Sequence, residues 1–456
     1  MSLLINGTGI DSIHFVGILG SGMSALAQFL SWKGCAASGS DRSIGKSETA
    51  AAAGLLEAAG CRLYPQDGSG ITGSTGALCI STAIESDNPD IAAALRNAVP
   101  VFHRSDVLAA IVASYRTIAV AGTSGKSTVT AMIFEFLAAC GKSPSLITGA
   151  ALKRLEHQSL IGNAFFGSSD ILVIEADESD GTLIKYHPDL SLILNISKDH
   201  QPVAEVKQLF RQLVRQSVFS MKNNDDDQLD DIEATDSFSL DAPSGWRPDS
   251  YSYAASGGML IRGSNKFNLP LIGRHNLSNC AAALAVTEKY GCTPEQLQTA
   301  TRAFEGVARR FTVTRTSSGV FVVDDFAHNP EKIRSAVNAA YSIAQRIIAL
   351  YQPHGFGPTR FLRNEYRELF GALFNESDIL ILLPIYYAGG TAIQDISSND
   401  LKNDLGTTQF SVFAPNKRDD ALPIVSMNVR PGDCVLVMGA RDPSLPLFIE
   451  AIAKHC

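Results

Sequence analysis

Residues 118–141 read IAVAGTSGKSTVTAMIFEFLAACG, and this stretch determines the fold expected for the chain. An apolar strand runs into a glycine-rich turn, which opens a segment with the apolar spacing of a helix. The full Walker A pattern, G-x-x-x-x-G-K-[ST], requires a glycine at position 120, where this chain has Val120 within the strand. The match is therefore restricted to G-x-x-G-K-S.

The turn itself has the chemistry of a phosphate site. Gly122 and Gly125 allow backbone N–H groups to approach phosphate oxygens, and the N-terminus of the following helix favours negative charge. Lys126 adds a positive charge, and the hydroxyl of Ser127 is a natural ligand for Mg²⁺. The alternative interpretation is a plain helix start with a capping serine and an exposed lysine.

Length and composition limit the classes of protein. A chain of 456 residues exceeds the roughly 250 to 300 residues that one hydrophobic core supports, so two or three domains are expected. No run of about 18 uncharged apolar residues is present, which argues against a membrane span. The N-terminus lacks the basic leader of a signal peptide, so a cytoplasmic location is expected.

Charge and cysteine content exclude further classes. A net charge of -8 argues against a nucleic-acid partner, although a local basic site for an anionic ligand is compatible with it. The 8 cysteines are scattered without a C-x-x-C pair. This favours reduced thiols over zinc ligands or disulfides.

Strand and helix patterns alternate along the chain. Residues 13–18 form an apolar strand, and a glycine turn and a segment with helical apolar spacing follow it. The same alternation continues through the middle and the C-terminal third, which predicts an α/β fold of parallel sheets flanked by helices. Changes of pattern give three predicted domains, 1–112, 113–308 and 309–456.

Acidic residues follow a buried strand of the middle region. VIEADESDG, residues 173–181, contains four carboxylates, and a later strand ends at KDH, residues 198–200. Because the carboxyl ends of parallel strands share one edge of the sheet, these groups are expected beside the phosphate loop. Carboxylates and an imidazole next to a phosphate imply a metal site, and the alternative is a solvated strand end. A second acidic run, KNNDDDQLDD at 222–231, is predicted to be a solvated loop.

Ten segments in order resemble the Mur ligase family and cover the chain nearly end to end. They are HFVGILGSGMSALA, SGSD, STAIESDNPD, AVAGTSGKST, EADESD, GRHNLSNCAAALA, RRF, DDFAHNP, YQPH and GDCVLVMGARD. Within the family the resemblance is to the members that join L-alanine to UDP-N-acetylmuramate. These are ATP-dependent, ADP-forming amide ligases of peptidoglycan precursor synthesis, so the resemblance implies a cytoplasmic ligase of cell-wall formation.

The resemblance implies three domains with separate tasks. An N-terminal Rossmann-like domain would hold the UDP-sugar, a central P-loop ATPase-type domain would hold ATP, and a C-terminal Rossmann-like domain would close over the nucleotide and admit the amine. ATP would phosphorylate the substrate carboxylate, and the amine would attack the acyl phosphate. The implied cofactors are ATP and Mg²⁺. The implied partners are a UDP-N-acetylmuramate-type sugar nucleotide and an amino acid or peptide, with no nucleic acid or membrane, and the chain is expected to be a monomer or homodimer.

The resemblance also assigns roles to individual residues. Lys126 would contact the β and γ phosphates, Asn276 and Asn279 the adenine, and Arg310 and Asp325 would face the nucleotide from its far side. The implied catalytic residues are Lys126, Glu175, His200 and His328, and the implied metal ligands are Ser127, Glu175 and His200. The implied ATP contacts are Gly122, Thr123, Ser124, Gly125, Lys126, Ser127, Thr128, Asn276, Asn279, Arg310 and Asp325. The implied sugar-nucleotide contacts are Gly20, Ser21, Gly22, Met23, Asp41 and Ser81.

The glycine turn GILGSGM, residues 17–23, is ambiguous on its own. A lone G-x-x-G-x-G is typical of a dinucleotide dehydrogenase. Together with the phosphate loop it favours a site for the UDP diphosphate, with Asp41 near the ribose or uracil. His14 is expected at a strand edge, and His103 and Arg104 fit a ligand contact or a solvated loop equally well.

Several positions depart from the pattern of the L-alanine-adding members. Ser124 stands where a histidine is usual, a change that leaves the backbone of the phosphate loop intact. Asn329 follows His328 where a second histidine is usual. Gly355 and Pro358 stand where arginines that help to bind the amino-acid carboxylate are usual.

The missing arginines leave the amine undecided. Glycine and proline cannot pair with a carboxylate as a guanidinium does, so another cation must take the anion, and Arg360 and Arg363 are the candidates. The second hypothesis is a relative that joins a preformed peptide or another amine. A third is a catalytically degenerate nucleotide-binding protein, and a plain dinucleotide oxidoreductase is the least supported.

Overall fold

The computed structural model describes residues 2–178, 181–197, 202–254, 256–387, 393–440, 442 and 444–456. The density of internal contacts divides the chain into two compact units. The first unit comprises Met1–Ser252, Met259–Pro270 and Asn276–Ala308, and the second comprises Tyr253–Gly258, Leu271–His275 and Arg309–Cys456. Residue 112 lies inside the first unit, and the three-way division proposed from the sequence stays a prediction.

The N-terminal region is a five-stranded parallel sheet flanked by helices, preceded by an antiparallel hairpin. The elements are β1 (Leu3–Ile5), β2 (Thr8–Ile10), β3 (Ser12–Val16), α1 (Ser21–Trp32), β4 (Ala36–Ser40), α2 (Ala50–Ala58), β5 (Arg62–Tyr64), β6 (Ala77–Ile80), α3 (Pro89–Arg96), β7 (Val101–His103) and α4 (Arg104–Val112). The strand order is β5-β4-β3-β6-β7, and every pairing in this sheet is parallel. The predicted strand–turn–helix start of the chain is confirmed.

His14 was expected at a strand edge, and that expectation is wrong. It lies in β3, which pairs with β4 on one side and β6 on the other. The side chain is fully buried, with Nδ1 3.0 Å from the Ser38 hydroxyl. Burial lowers the pKa of His14 to about 4, so the ring is neutral at physiological pH and belongs to the core.

The middle region is built on a seven-stranded sheet with the order β10-β9-β11-β8-β12-β13-β14. Its elements are β8 (Arg116–Ala121), α5 (Lys126–Ala139), β9 (Ser145–Ile147), α6 (Lys153–Glu156), β10 (Ala164–Phe165), β11 (Ile171–Glu175), β12 (Leu190–Ile193), α7 (Val203–Gln216), β13 (Phe219–Asn223), β14 (Asp236–Phe238), β15 (Ser250–Ala254), β16 (Gly257–Arg262), β17 (Asn265–Leu269), α8 (Arg274–Lys289) and α9 (Pro294–Arg302). The β10 strand is antiparallel to β9, and the other pairings of this sheet are parallel. Strands β15, β16 and β17 form a separate small sheet.

Strand β8 is the central strand of this sheet, and helix α5 belongs to the layer that covers it. Residues 117–121 of β8 are buried, between β11 and β12. Helix α5 is buried from Ser127 to Leu137 on all its faces. An all-round apolar helix is stable only inside the protein, so the phosphate loop that joins β8 to α5 is held at both ends by core packing.

The acidic run 222–231 was expected to be a solvated loop, and that expectation is wrong in part. Asp226 accepts a hydrogen bond from the backbone N–H of Ile196 at 2.8 Å. Asp225 accepts from the N–H groups of Leu240 at 2.6 Å and Ala242 at 2.9 Å. Two of these carboxylates therefore tie loops of the sheet together.

The second unit contains a six-stranded sheet with the order β18-β19-β23-β20-β21-β22. Its elements are β18 (Thr312–Arg315), β19 (Phe321–Asp325), α10 (Pro330–Tyr341), β20 (Ile347–Gln352), α11 (Phe356–Phe361), α12 (Arg363–Leu373), β21 (Ile379–Leu382), α13 (Ser398–Leu405), β22 (Ser411–Phe413), α14 (Ala421–Asn428), β23 (Cys434–Gly439) and α15 (Leu445–His455). Only β18 pairs antiparallel. Alternate residues of β20 and β23 belong to two apolar clusters, one on each face of the sheet, as expected for strands covered by helices on both sides.

Two further expectations concern the membrane and the cysteines. Among the residues that the structure describes, no helix combines the length and apolarity needed to cross a bilayer. All eight cysteines are free thiols, and six of them are buried.

Candidate active site

The phosphate loop has the backbone that its glycines predict. Gly122 and Gly125 have φ of 144° and 85°, values that favour glycine. A Cβ on Gly122 would lie 2.9 Å from the Cβ of Leu194, and one on Gly125 would lie 2.7 Å from the side-chain oxygen of Asn279. Larger residues would therefore clash, so the backbone path of this loop depends on glycine at both positions.

Asn195, which the sequence analysis missed, holds the loop from the end of β12. Its side-chain oxygen accepts hydrogen bonds from the Ser124 N–H at 2.8 Å and the Thr123 hydroxyl at 3.0 Å. Its amide N–H donates to the Ser124 carbonyl at 3.0 Å. An asparagine directly after a buried strand was the available signal, but only the pairing of β12 with β8 brings it to this loop.

Lys126 is a buried ion-pair partner and not the exposed lysine of the alternative interpretation. Its side chain is 12% exposed, and Nζ lies 2.7 Å from a carboxylate oxygen of Glu178 and 3.9 Å from one of Asp177. Nζ also donates to the Gly122 carbonyl at 2.7 Å. Burial works against the charge, yet Glu178, Asp177 and Glu175 together raise the pKa of Lys126, so a full positive charge is held at the loop.

In Glu178 the effect of burial on the pKa outweighs that of the neighbouring charge, opposite to Lys126. Its side chain is 6% exposed, and burial raises its pKa although Lys126 lowers it. The Glu178 carboxylate is therefore costly to bury and depends on Lys126 for its charge balance. The sequence analysis grouped Glu178 with the acidic strand end and gave it no separate role.

Glu175 ends β11 and joins the loop to the neighbouring strand β9. One oxygen accepts from the Ser127 hydroxyl at 2.9 Å, and the other accepts from the Thr148 hydroxyl at 2.8 Å and the Gly149 N–H at 2.9 Å. Hard oxygen donors of this kind suit Mg²⁺, which keeps most of its shell as water and phosphate oxygen. The residues present therefore fit a nucleotide-bound magnesium ion.

No group of three or more histidine, cysteine, aspartate or glutamate side chains able to hold a metal occurs within the described parts of the chain. A magnesium ion bound mainly through phosphates does not need such a group. His200, the predicted third ligand, lies outside the described residues.

Helix α8 carries the two predicted adenine contacts, Asn276 and Asn279. Asn276 is buried in its first turn, and the Asn279 amide lies 3.4 Å from the Asn276 side-chain oxygen. Asn279 lies against Gly125, as its approach to that glycine shows. Asn279 is therefore a neighbour of the phosphate loop, and Asn276 lies beside Asn279. Thr128, also among the predicted ATP contacts, is buried in the first turn of α5.

The glycine turn of the N-terminal sheet also leads into a helix N-terminus. Gly20 caps α1, and the helix starts at Ser21. Asp41 fixes the turn because its carboxylate accepts from the Leu19 N–H at 3.2 Å and the Ser43 N–H at 2.9 Å. A Cβ on Gly22 would lie 3.2 Å from a guanidinium nitrogen of Arg104, so this cation stands beside the helix N-terminus.

Two further predicted sugar-nucleotide contacts are Met23 and Ser81. The Met23 side chain is buried in the core, which leaves only its backbone for a ligand. Ser81 follows β6, and its carbonyl accepts from the Ile84 N–H at 3.1 Å. His103 caps α4, so the segment is a helix start and not a solvated loop.

In the second unit, the loop after β19 gathers the predicted residues Arg310, Asp325 and His328. Asp325 accepts from the N–H groups of Phe311 and Ala327, each at 2.7 Å, and burial raises its pKa to about 6. The Arg310 guanidinium lies 5.0 Å from the ring centroid of Phe326.

His328 is a neutral histidine. Its Nδ1 lies 2.9 Å from the Phe326 carbonyl, and burial lowers its pKa well below the usual value. The hydroxyls of Tyr351 and Tyr366 donate to its carbonyl at 3.1 Å and 2.9 Å. The ring is therefore fixed in place, with His354 at 5.1 Å between centroids.

The two candidate replacement arginines are already engaged by carboxylates. Arg360 pairs with Asp395, and Arg363 binds Asp404 through two contacts of 2.6 Å and 2.9 Å. Gly355 caps α11 with φ of 73°, and Pro358 lies in that helix. The two positions at which arginines are usual therefore lie at the start of a short helix.

Comparison with known proteins matches three family models to consecutive parts of the chain. They are the Mur ligase family, catalytic domain, over residues 12–116, the Mur ligase middle domain over 120–287, and the Mur ligase, glutamate ligase domain over 309–441. The UDP-N-acetylmuramate--L-alanine ligase of Gloeobacter violaceus is 34% identical over 440 residues, which cover 94% of this chain and 92% of that protein.

Solved structures with the same fold include two ligases. The UDP-N-acetylmuramate-alanine ligase MurC of Thermotoga maritima has a TM-score of 0.78 at 24% identity, covering 98% of this chain and 100% of that one. The murein peptide ligase of Psychrobacter arcticus has a TM-score of 0.71 at 19% identity, covering 98% and 99%. At these identities the structural likeness concerns the fold.

Proposed function

Because the chain belongs to the Mur ligase family, we propose that it joins an amine, with L-alanine as the first candidate, to the carboxylate of UDP-N-acetylmuramate while ATP becomes ADP and phosphate. A carboxylate oxygen of the sugar nucleotide attacks the γ-phosphorus, and ADP leaves. The amine nitrogen then attacks the acyl carbon, phosphate leaves, and the amine loses a proton. The product is an amide of a peptidoglycan precursor.

The observation that carries the proposal is the arrangement of Gly122, Gly125, Lys126, Ser127 and Glu175 at one edge of the central sheet. A glycine loop at a helix N-terminus, a buried ammonium and two oxygen donors converge there, as phosphoryl transfer requires. Lys126 would exchange its contact with Glu178 for the β and γ phosphates. Ser127, Glu175 and the predicted ligand His200 would hold Mg²⁺, which would neutralise the phosphate charge when bound.

The other parts of the proposal assign a task to each predicted domain. Domain 1–112 would hold the UDP diphosphate at the glycine turn beside Arg104, domain 113–308 would hold ATP, and domain 309–456 would select the amine. The assignment of Arg310, Asp325 and His328 to the nucleotide rests on the resemblance of their motifs. We also propose a cytoplasmic protein that works as a monomer or homodimer.

A second amine is favoured by one specific observation. Gly355 and Pro358 replace the usual arginines, and both Arg360 and Arg363 are paired with aspartates. In a single amino acid the free carboxylate is on the carbon that bears the reacting amine, so a cation is needed close to the acyl phosphate. In a peptide that position is a neutral amide, and the free carboxylates lie farther away. A preformed peptide is therefore the second candidate substrate.

The test is release of ADP from ATP and Mg²⁺, measured with UDP-N-acetylmuramate and a panel of amines. The panel contains single L- and D-amino acids and the murein tripeptide, and mass spectrometry identifies the amide. ADP release that requires both the sugar nucleotide and one amine is the expected result. Absence of ADP release with every amine would contradict the proposal and favour a degenerate relative.

A further inference from the structure

A buried hydrogen-bond network begins at the glycine turn of the N-terminal sheet. The Asn163 amide donates to the Ser21 carbonyl and to the Ser24 hydroxyl, both at 2.8 Å. The Gln28 amide donates to the Asn163 side-chain oxygen at 2.9 Å. Ser21, Ser24 and Gln28 lie along the first turns of α1. Asn163 is therefore hydrogen-bonded to the part of the helix that would receive the diphosphate.

From Asn163 the network continues to the phosphate loop. The carbonyl of Asn163 accepts from the N–H of Thr148 at 3.0 Å. The Thr148 hydroxyl donates to one oxygen of Glu175 at 2.8 Å, and the Ser127 hydroxyl donates to the other at 2.9 Å. Hydrogen bonds joined through Asn163, Thr148 and Glu175 therefore connect Ser21 to Ser127.

The path lies in the interior, where it is held tightly. Asn163, Ser24, Gln28 and Thr148 are each at most 3% exposed. Buried polar groups stay paired because water is not there to replace a lost partner, and hydrogen bonds are stronger in a low dielectric. A shift of α1 must therefore move Asn163 and Thr148 together or break buried hydrogen bonds.

The segment that carries Asn163 has little freedom to absorb such a shift. Gly162 has φ of 93°, and a Cβ there would lie 3.1 Å from both the N and the O of Leu152. The following residue, Ala164, pairs with Ile147 in the ladder of β10 and β9. Thr148 directly follows that strand. Thr148 and Asn163 are therefore fixed to each other by backbone hydrogen bonds.

We propose that Thr148 and Asn163 are positioning residues that couple the binding of the sugar nucleotide at the glycine turn to the binding of nucleotide phosphates at the loop. This inference rests on the proposed function. A diphosphate at the N-terminus of α1 sets the Ser21–Ser24 turn, Asn163 follows it, and Thr148 orients the Glu175 carboxylate that faces Ser127. By reciprocity, nucleotide at the loop strengthens binding of the sugar nucleotide by the same factor.

The experiment is a binding cycle measured by titration calorimetry on the full chain. The dissociation constant of ADP with MgCl₂ is measured with and without saturating UDP-N-acetylmuramate. The wild-type ratio is expected to be at least about fivefold. Thr148→Val, which keeps the side-chain shape and removes the hydroxyl, should bring the ratio below about twofold, and Thr148→Ser should retain it.

Thr117→Val is the matched control. Thr117 is fully buried on β8 and its hydroxyl donates to the Val112 carbonyl at 3.1 Å, outside the path. This variant should keep the wild-type ratio. Asn163→Ala, with folding checked by thermal unfolding, should lose the coupling independently of Thr148.

The outcomes separate the inference from the function. A wild-type ratio retained by Thr148→Val and Asn163→Ala overturns the inference. A wild-type chain that binds both ligands without coupling also overturns it. A wild-type chain that binds ADP but no UDP-N-acetylmuramate overturns the proposed function itself.

Discussion

The phosphate-loop edge of the first unit and the segment 355–404 of the second unit hold their charged side chains in different ways. Lys126 and Glu178 are 12% and 6% exposed and lie in a network that includes backbone groups. Arg360 and Arg363 are 44% and 43% exposed and pair with aspartates at the surface. Surface pairs add little to stability, whereas buried pairs are costly to break. The predicted phosphate site is therefore held by the buried structure, and the groups that would select the amine can change at small cost.

Lys126→Met should give the largest effect and tests the buried side of this comparison. Loss of the cation that neutralises phosphate is expected to lower ADP formation by about 100-fold or more. The change also leaves Glu178 buried beside Asp177 without its partner, which should lower the free energy of unfolding by about 3 to 5 kcal/mol. ADP release and urea denaturation measure the two effects.

The double variant Lys126→Met with Glu178→Gln separates the two consequences. It should regain most of the stability and none of the activity, because the neutral amide needs no cation. Lys289→Met, which removes a more exposed pair with Asp236 at 2.6 Å, is the control and should leave ADP formation unchanged. Full ADP formation by Lys126→Met would disprove the role of the loop.

Glu175→Gln should have the next largest effect. The amide lacks the negative charge that complements Mg²⁺, and one of the two oxygens that accept hydrogen bonds from Ser127 and Thr148 becomes an NH₂ group. The Mg²⁺ concentration for half-maximal activity should therefore rise about 10- to 100-fold. Magnesium titrations of ADP release measure this. Glu288→Gln, which breaks a pair with Arg262 at 2.9 Å, serves as the control. An unchanged magnesium dependence in Glu175→Gln would remove Glu175 from the predicted metal ligands.

Arg360→Ala tests the exposed side. If this guanidinium leaves Asp395 to bind the carboxylate of a single amino acid, its loss should raise the KM for that amine about tenfold and leave the KM for ATP unchanged, since one charged hydrogen bond is worth about that much. Arg363→Ala and Arg315→Ala are measured in parallel. An increase with Arg363→Ala alone would transfer the role to Arg363, and tight L-alanine use in all three variants would show that neither arginine binds the carboxylate.

The sequence was sufficient wherever function depends on neighbours along the chain. The β8–loop–α5 unit, its missing Walker glycine at Val120 and the acidic end of β11 were predicted, because local periodicity and glycine spacing specify them. The α/β fold with largely parallel sheets was also predicted and is confirmed.

The sequence was insufficient wherever strand order decides the contact. Asn195 reaches the loop only because β12 lies next to β8, and Asn163 reaches Ser21 across 142 positions of sequence. His14 was misplaced for the same reason, since alternation along β3 does not show that β4 and β6 flank it. Local patterns contain no information on which strands pair.

Glu135 offers the smallest effect and sharpens the contrast between buried and exposed charge, because it is a buried ionisable group that the proposed chemistry does not use. It lies in α5, is 3% exposed, and one of its oxygens has no hydrogen-bond partner among the described residues. Burial raises its pKa to about 8, although Arg154 opposes the shift.

A carboxyl group with a folded pKa above its unfolded value stays protonated in the folded protein while the unfolded chain releases the proton, so stability falls as the pH rises from about 4.5 to about 8. Between pH 6 and pH 8 this should cost the wild type about 2 kcal/mol relative to Glu135→Gln, which cannot ionise. Urea denaturation of both proteins at the two pH values measures the difference, and parallel pH dependences would show that Glu135 is already ionised in the folded protein at pH 6.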